Sequence, residues 1–532
     1  MGAGIVQTFA ICSPLDAQTR GWLQVLCLAV LAQTLDGISP TGVQLNGGKA
    51  QPKQTPFFAG VVFSGVWLTS TFWWIYISLH KYGGMPEILA VLSVLVLALG
   101  LCVYYAIACV VYVRLSSKIK DWMSCVLFAS LWTMAELARA QWFTGFPWGA
   151  IGYAHLDNAL QLLGPYGGVY TIGFVAATLA CALSKLYSRL STVFRGGSFG
   201  GGRNVVAVVL ILFLIAPNTW LIEWAQSQKD KSIEFTKEVS YTLLQGNIAQ
   251  DIKFEAQGLR ALEWYEKRII AADTQWVITP ETALPVLKVD LPEGYWKRII
   301  DHFRERGSEQ KALLLGMVGM EGGEYTNRVV GINKDGDIYI YIKHHLVPFG
   351  EFIPSWFKWF TDLMKIPLGS FKRGELAQQP WEWNGQTVAV NICYEDVFGE
   401  ELAASFIGYA GAVPTLLVNA SNIGWFGQFL AVEQHLNASR MRTVELQRPM
   451  LRATNTGATA AIDHNGRVVA LLPKGTEGVL TGSIRGVKGD PTIYAQWSGR
   501  FSLYPLWGCC ILIVLLVWGV KFGKFKSFKS SE

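Results

Sequence analysis

"TVAVNICYEDVFGE", residues Thr387–Glu400, begins as an apolar alternation and ends in acids, with one thiol at the change. The first seven residues read as a β-strand that carries Cys393 at its C-terminal end. A sheet holds a side chain rigidly there, and the following loop gives access to it. Glu395 and Asp396 come next, although nearby carboxylates raise a thiol's pKa rather than lower it. If Cys393 is a nucleophile, its base and its cation must come from elsewhere in the chain.

Working outward, similar short apolar runs lie at Tyr241–Leu244, Trp276–Thr279, Leu313–Val318, Thr415–Asn419, Thr459–Ile462 and Val468–Leu472. Arg328–Asn333 and Ile338–Ile342 flank Asp335–Gly336, the strongest short-range hairpin signal. Helical patterns intervene at Gly258–Ala271, Gly294–Arg306 and Phe429–Gln447. Strands alternating with helices predict an α/β domain of layered sheets and helices over residues 225–500.

Two more polar residues stand where strands stop: Glu281 after "VITP" and Lys343 at the end of "DIYIYIK". Each has an ordinary alternative, as a capping or surface Glu, a solvated Lys, or a core Cys. Together they are complementary. A thiol is only a few per cent ionised at neutral pH. A carboxylate in reach can take its proton, and an ammonium favours the thiolate and then stabilises the oxyanion of a tetrahedral intermediate. Cys393, Glu281 and Lys343 are thus a set for acyl transfer through a thioester, with Glu395 orienting the lysine or the thiol loop.

The ends of the chain are of another kind. Of 532 residues 51% are hydrophobic and 16% charged, too apolar for an ordinary soluble enzyme. Apolar runs at Phe57–Leu79, Ile88–Val113, Trp122–Ala138, Tyr166–Leu186, Val205–Trp224 and Phe501–Val520 approach the ~20 residues that cross a bilayer. Trp22–Leu35 is shorter and reads as a retained helix rather than a cleaved signal. A helical membrane domain over residues 1–224 and a last span with a basic tail over 501–532 therefore bracket the α/β domain. Arg114, Lys118 and Lys120, then Lys185, Arg189, Arg195 and Arg203, then Lys521, Lys524, Lys526 and Lys529 fall on one side, joined by Lys49 and Lys53. The positive-inside tendency makes that side cytoplasmic and the α/β domain extracytoplasmic. The net charge of +6 sits mostly in these loops and tail, so it does not indicate nucleic-acid binding. Eight of the nine cysteines lie in or beside the membrane segments, which leaves Cys393 alone in a compartment where free thiols are a liability.

"PETALP" (Pro280–Pro285), "KHHLVPFGEF" (Lys343–Phe352) and "NICYED" (Asn391–Asp396) resemble the nitrilase superfamily. Further strings narrow the match: "LTSTFWWIYIS" around Trp74, "GGMP" at Gly83–Pro86, "TGFPW" at Thr144–Trp148, "VNASNIGWFG" and "RPMLRATNTG". In this order, with membrane helices, they resemble the apolipoprotein N-acyltransferase family from about Phe57 onward. The resemblance implies a polytopic α-helical membrane domain plus an αββα sandwich, with Glu281 as base, Lys343 as the lysine and Cys393 as nucleophile. It places supporting acidic and aromatic positions on Glu351, Tyr394 and Glu395. It further implies a phospholipid acyl donor, a diacylglyceryl-modified apolipoprotein acceptor, and a bacterial inner membrane with the catalytic domain periplasmic. Two departures stand out. Phe254 occupies a position usually Trp, and Met1–Cys12 is too short to span, which leaves seven helices or a truncated start where the family has eight.

The residues themselves favour a lipid substrate. Each buried CH₂ is worth ~0.8 kcal/mol, so bringing a sixteen-carbon chain into water costs on the order of 10 kcal/mol, a cost that a membrane-anchored thiol domain avoids. No P-loop or GxGxxG appears, and His344–His345 lack the helical spacing of a zinc pair, so no cofactor is expected. A monomer is expected. A membrane-tethered nitrilase-like amidase with water as acceptor is the alternative. Trp73, Trp74, Trp142 and Trp148 fit an interfacial belt or a lipid entry route, Glu136 and Arg139 an i,i+3 pair, and His344 and His345 a polar rim. The aromatic segment Val347–Gln379, with Trp356 and Trp359, is expected to form a lid.

Overall fold

The computed structural model describes residues 1–13, 16, 18–38, 55–194, 216, 219–248, 258–304, 311–334, 338–354, 371–408 and 413–529. Most of the span expected at Val205–Trp224, the basic residues Lys49, Lys53, Arg195 and Arg203, Asp335–Gly336, Phe254, and the lid tryptophans Trp356 and Trp359 lie outside them. The chain divides into two compact units, Met1–Ser227 with Leu503–Glu532, and Gln228–Ser502.

The first unit is helical: α1 (Gly2–Ile11), α2 (Gly21–Asp36), α3 (Pro56–Phe72), α4 (Glu87–Ser116), α5 (Asp121–Gln141), α6 (Gly164–Phe194), the start of α7 (Thr219–Asp230), and α13 (Tyr504–Lys529). Thr55 caps α3 by accepting the Phe58 N–H, with Pro56 at the first helical position. Among the described residues three helical stretches are long and apolar enough to cross a membrane, Glu87–Ser116, Ala159–Ser191 and Tyr504–Phe522. Pro56–Phe72 and Ile75–Tyr82, bent by 53°, make a fourth if the pair is one span. The expectation for Trp122–Ala138 is revised: α5 has the length but is less apolar, and most of its side chains are buried.

Glu136 and Arg139 each hold backbone rather than forming a simple i,i+3 bridge. Arg139 donates to the carbonyls of Phe146 and Trp148 and to the Tyr105 hydroxyl, while Glu136 accepts the Ile151 N–H at 2.9 Å. They fasten the loop that contains "TGFPW". Trp74 and Trp148 are buried with ring centroids 5.1 Å apart, so these two are packing residues rather than belt residues, whereas Trp73 and Trp142 stay exposed.

The second unit has twelve described strands in two six-stranded sheets. Those that position the site are β1 (Val239–Gln245), β2 (Trp276–Ile278), β3 (Ala312–Glu321), β4 (Glu324–Asn333), β5 (Ile338–Ile342), β7 (Gln386–Ile392), β8 (Leu416–Ser421) and β9 (Met450–Thr454). Strands β6 (Trp381–Trp383), β10 (Ala460–Ile462), β11 (Val468–Leu471) and β12 (Gly478–Ile484) complete the orders β12-β1-β2-β3-β4-β5 and β11-β10-β9-β8-β7-β6. Alternate residues go to opposite faces. Tyr241, Leu243, Trp276, Ile278 and Leu314 from one sheet meet Val388, Val390, Ile392, Val418 and Leu451 from the other. The intervening Leu244, Val277 and Leu313 pack on the outer helices α8 (Gly258–Ile270) and α9 (Tyr295–Arg304). On the other outer face Ala389 and Leu417 pack with residues of α10 (Gly399–Ala404), α11 (Leu430–Leu446) and α12 (Ile493–Phe501). Central strands are buried on both faces, which explains their almost continuous apolar runs. The result is the expected αββα sandwich.

Candidate active site

Cys393 follows the last residue of β7, Glu281 lies three residues beyond β2, and Lys343 follows β5 directly. Strict alternation would send Cys393 to the helix side with Asn391. Its backbone is left-handed instead, with φ of 53°, and the side chain packs against the inter-sheet cluster. A non-glycine residue held there stores on the order of 1–3 kcal/mol, so the surroundings must fix it. Thr282 and Phe349, beside Glu281 and Glu351, also have positive φ.

The three side chains meet. Lys343 Nζ lies 3.0 Å from Glu281 Oε1 and 3.0 Å from Glu351 Oε1. The Asn327 amide donates to the same two oxygens, at 2.7 and 2.8 Å. The N–H of Asn422 donates to Glu281 Oε2 at 2.9 Å, and that of Val347 to Glu351 Oε2 at 2.8 Å. The Cys393 thiol lies close enough to the Glu281 carboxylate to interact with it, with the Ser421 side chain and the Asn422 N–H as further neighbours. It keeps partial access to solvent.

Burial disfavours the Glu281 anion, but the Lys343 charge and the Asn327 donor outweigh it and hold the carboxyl below its ordinary value. Burial also disfavours the Lys343 ammonium, yet Glu281 and Glu351 raise its pKa well above the usual lysine value. Burial and then the Glu281 charge push the Cys393 thiol up to about 12, against the pull of Lys343. The ammonium therefore does not produce a resting thiolate, as residue chemistry alone suggested. The resting site holds a neutral thiol beside an ionised carboxylate, the arrangement for general-base attack.

The acids next to the thiol have other partners. Glu395 accepts the N–H of Ile392 at 2.6 Å, of His344 at 2.6 Å and of His345 at 3.1 Å, and the Tyr341 hydroxyl at 2.9 Å. It does not orient Lys343 by direct contact; it ties the strand end before Cys393 to the segment after Lys343. Burial pushes its carboxyl up to about 7, while the N–H groups favour the anion. Tyr394 is buried, its ring 5.1 Å from Phe398 and 5.7 Å from His345. The histidines are not a polar rim: His345 is buried with Nδ1 on Glu401, and His344 Nδ1 lies 2.8 Å from the Gly374 carbonyl.

The structure brings Glu281, Lys343, Glu351 and Cys393 together and adds Asn327 and the backbone of Asn422, while Tyr394 and Glu395 pack on the segments that flank them. Asn327 lies inside a strand, where a buried amide has no sequence signature; only "VNASNIGWFG" pointed to Asn422. Among the described residues no group of three or more His, Cys, Asp or Glu could hold a metal ion.

Two family models match the chain: the apolipoprotein N-acyltransferase N-terminal domain over residues 4–182 and carbon-nitrogen hydrolase over residues 243–489. The apolipoprotein N-acyltransferase of Verminephrobacter eiseniae is 42% identical over 518 residues, covering 94% of this chain and 92% of that protein. That of Ralstonia nicotianae is 39% identical over 500 residues, covering 93% and 88%. A carbon-nitrogen hydrolase superfamily structure from Xanthomonas campestris aligns with a TM-score of 0.36 at 16% identity, covering 50% of this chain and 96% of that one.

Proposed function

This chain belongs to the apolipoprotein N-acyltransferase family, and on that premise we propose that it moves a fatty acyl chain from a phospholipid to Cys393 and then to the α-amino group of a lipoprotein's N-terminal diacylglyceryl-cysteine. The observation that carries the mechanism is the meeting of three side chains: Lys343 Nζ 3.0 Å from Glu281 Oε1, with the Cys393 thiol beside the same carboxylate. As sulfur attacks the donor ester carbonyl, Glu281 takes the thiol proton and Lys343 balances the oxyanion charge. Collapse breaks the ester C–O bond, and Glu281 returns the proton to the leaving glycerol oxygen. The products of this half are a lysophospholipid and a Cys393 thioester. In the second half the amine attacks the thioester, Glu281 takes a proton from the nitrogen, and the departing sulfur receives it. An amide and a free thiol result, with no net change in redox or proton count.

Exposed aromatics suit an acyl chain at the entrance: Phe349 stands two residues before Glu351, and Trp425 and Phe429 follow Asn422. The basic residues support the orientation. Lys521 bonds Ser117 Oγ at 2.8 Å, Lys185 pairs with Asp36 at 2.7 Å and Arg189 with Asp121, which gathers them at one end of the helical unit. With that end cytoplasmic, the start of α13, which follows Ser502 in the chain, is periplasmic, and the reading is an inner-membrane protein whose α/β domain is periplasmic.

Timing the two halves separately tests this scheme against the hydrolytic one. The ratio of the transfer rate to the acylation rate should rise about tenfold per pH unit and level off above the acceptor amine's ~7.7–8.0, since only transfer needs the free amine. Enzyme groups common to both halves cancel in the ratio. Acylated peptide should be the main product; free fatty acid with the acceptor unmodified would establish hydrolysis, with water as the acceptor, instead.

A further inference from the structure

At the Cys393 carbonyl lies a second buried polar network that the acyl-transfer scheme does not use. The Cys393 carbonyl accepts from Asn419 Nδ2 at 3.2 Å and from His435 Nε2 at 3.1 Å. His435 Nε2 is also 2.6 Å from Asp396 Oδ1. The other ring nitrogen, Nδ1, is 2.6 Å from Arg452 Nη2. Arg452 Nη1 reaches Asp396 Oδ2 at 3.0 Å and the Ser439 hydroxyl, and Ser439 donates to Asp396. These residues come from the turn after β7, from β8, from β9 and from α11, and all are buried.

The chemistry assigns the protons. Arginine has only donors, so His435 Nδ1 must be the acceptor and the ring hydrogen must sit on Nε2. That hydrogen faces the Cys393 carbonyl, while Asp396 Oδ1, though close to the same nitrogen, does not take it. Burial and the adjacent Arg452 charge keep the ring below its ordinary pKa, hence neutral. A buried Arg–Asp pair is weak evidence for stability, because desolvation offsets its attraction. What it does here is lock one tautomer of one histidine against the carbonyl of Cys393, a residue in a left-handed conformation. Two donors on that carbonyl oppose rotation of the Cys393 peptide, and that rotation would swing the thiol away from Glu281.

The geometry points to His435 as a positioning residue for Cys393: held in its Nε2–H tautomer by Arg452, which Asp396 anchors in turn, it fixes the strained peptide that aims the thiol at Glu281. This rests on Cys393 being the nucleophile. The test therefore reads two quantities in the full-length, detergent-purified protein: the rate of acyl-enzyme formation from a defined phospholipid, and the rate of Cys393 alkylation by iodoacetamide, which needs no lipid.

A glutamine can place its amide nitrogen near Nε2, and an asparagine near Nδ1, so the comparison is His435→Gln, which keeps the donor, against His435→Asn and His435→Leu, which lack it. The expected result is a loss of about 10²-fold in acylation for Asn and Leu, the scale of a 1 Å misplacement. Gln should recover to within a few-fold, alkylation should fall in the same order, and thermal midpoints should not follow that order. Should Leu fail to fold, the Gln–Asn pair decides alone. Equal acylation in Gln and Asn, or losses that track the melting temperature, would overturn the assignment. If alkylation follows the predicted order while no variant and no wild type forms an acyl-enzyme, the positioning stands and the acyl-transfer reading fails.

Discussion

Incubated with a phospholipid and no acceptor, Cys393→Ala is expected to gain no mass, where the unchanged enzyme gains one acyl chain that hydroxylamine removes. Cys393 stands alone at the end of β7 with Glu281 beside it, and no other thiol lies in the second unit. The eight remaining cysteines belong to the helical unit. Cys393→Ser separates geometry from nucleophilicity. Its hydroxyl occupies nearly the same space, but it is a far weaker nucleophile than a thiol and forms an ester rather than a thioester. Acylation should be slower by several orders of magnitude, and any adduct should resist transfer to an amine. A serine variant that turned over at the original rate would mean that Cys393 is not the attacking atom.

Lys343→Met should do two kinds of damage. The ammonium sits between two carboxylates, with all three groups largely withdrawn from water. Removing one member of such a cluster leaves uncompensated buried charge, typically 3–5 kcal/mol destabilising, or about that here. Without the cation, burial raises the Glu281 carboxyl instead of Lys343 lowering it. In the native enzyme the depressed Glu281 pKa contributes stability above the unfolded value of ~4.3, and that contribution is lost as the pH falls through the folded pKa. In the variant the raised carboxyl is most costly at neutral pH and its cost disappears on acidification. The melting-temperature gap between the two proteins should thus be wide at pH 7 and narrow at pH 5. Activity should fall by about 10³-fold or more, since both the base and the oxyanion's counter-charge are impaired. Adding Glu351→Gln should restore part of the stability and none of the activity. Equal melting of Lys343→Met and the native enzyme at both pH values would contradict the assigned charges.

The difference between these effects and those expected at His435 mirrors what the sequence could disclose. Glu281, Lys343 and Cys393 each stand where an apolar run stops, and strand ends are visible in one dimension. So is the sandwich, because strands buried on both faces give continuous apolar runs. Three of the described strands were not visible. Trp381–Trp383 is only three residues long, Met450–Thr454 carries Arg452 in its middle, and Gly478–Ile484 contains two glycines. Arg452 is the instructive case. A fully buried arginine inside a strand argues against that strand until Asp396, 56 residues earlier, is known to face it. Asn327 and His435 were hidden for the same reason: their partners are 46 and 42 positions away, and local sequence carries no trace of them. The acids after Cys393 misled in the opposite direction. Adjacent in sequence to the thiol, Glu395 and Asp396 turn away from it, one to the backbone after β5 and the other to Arg452.

The central claim is that a single acyl chain waits on Cys393 between donor and acceptor. The most direct test is to isolate the acyl-enzyme free of phospholipid, add a diacylglyceryl-cysteine peptide, and follow both masses through one turnover. The predicted result is that the protein loses one acyl mass at the same rate as the peptide gains it, as an amide on its α-nitrogen. A peptide that is acylated only when phospholipid is supplied again, while the mass on Cys393 stays in place, would contradict the account.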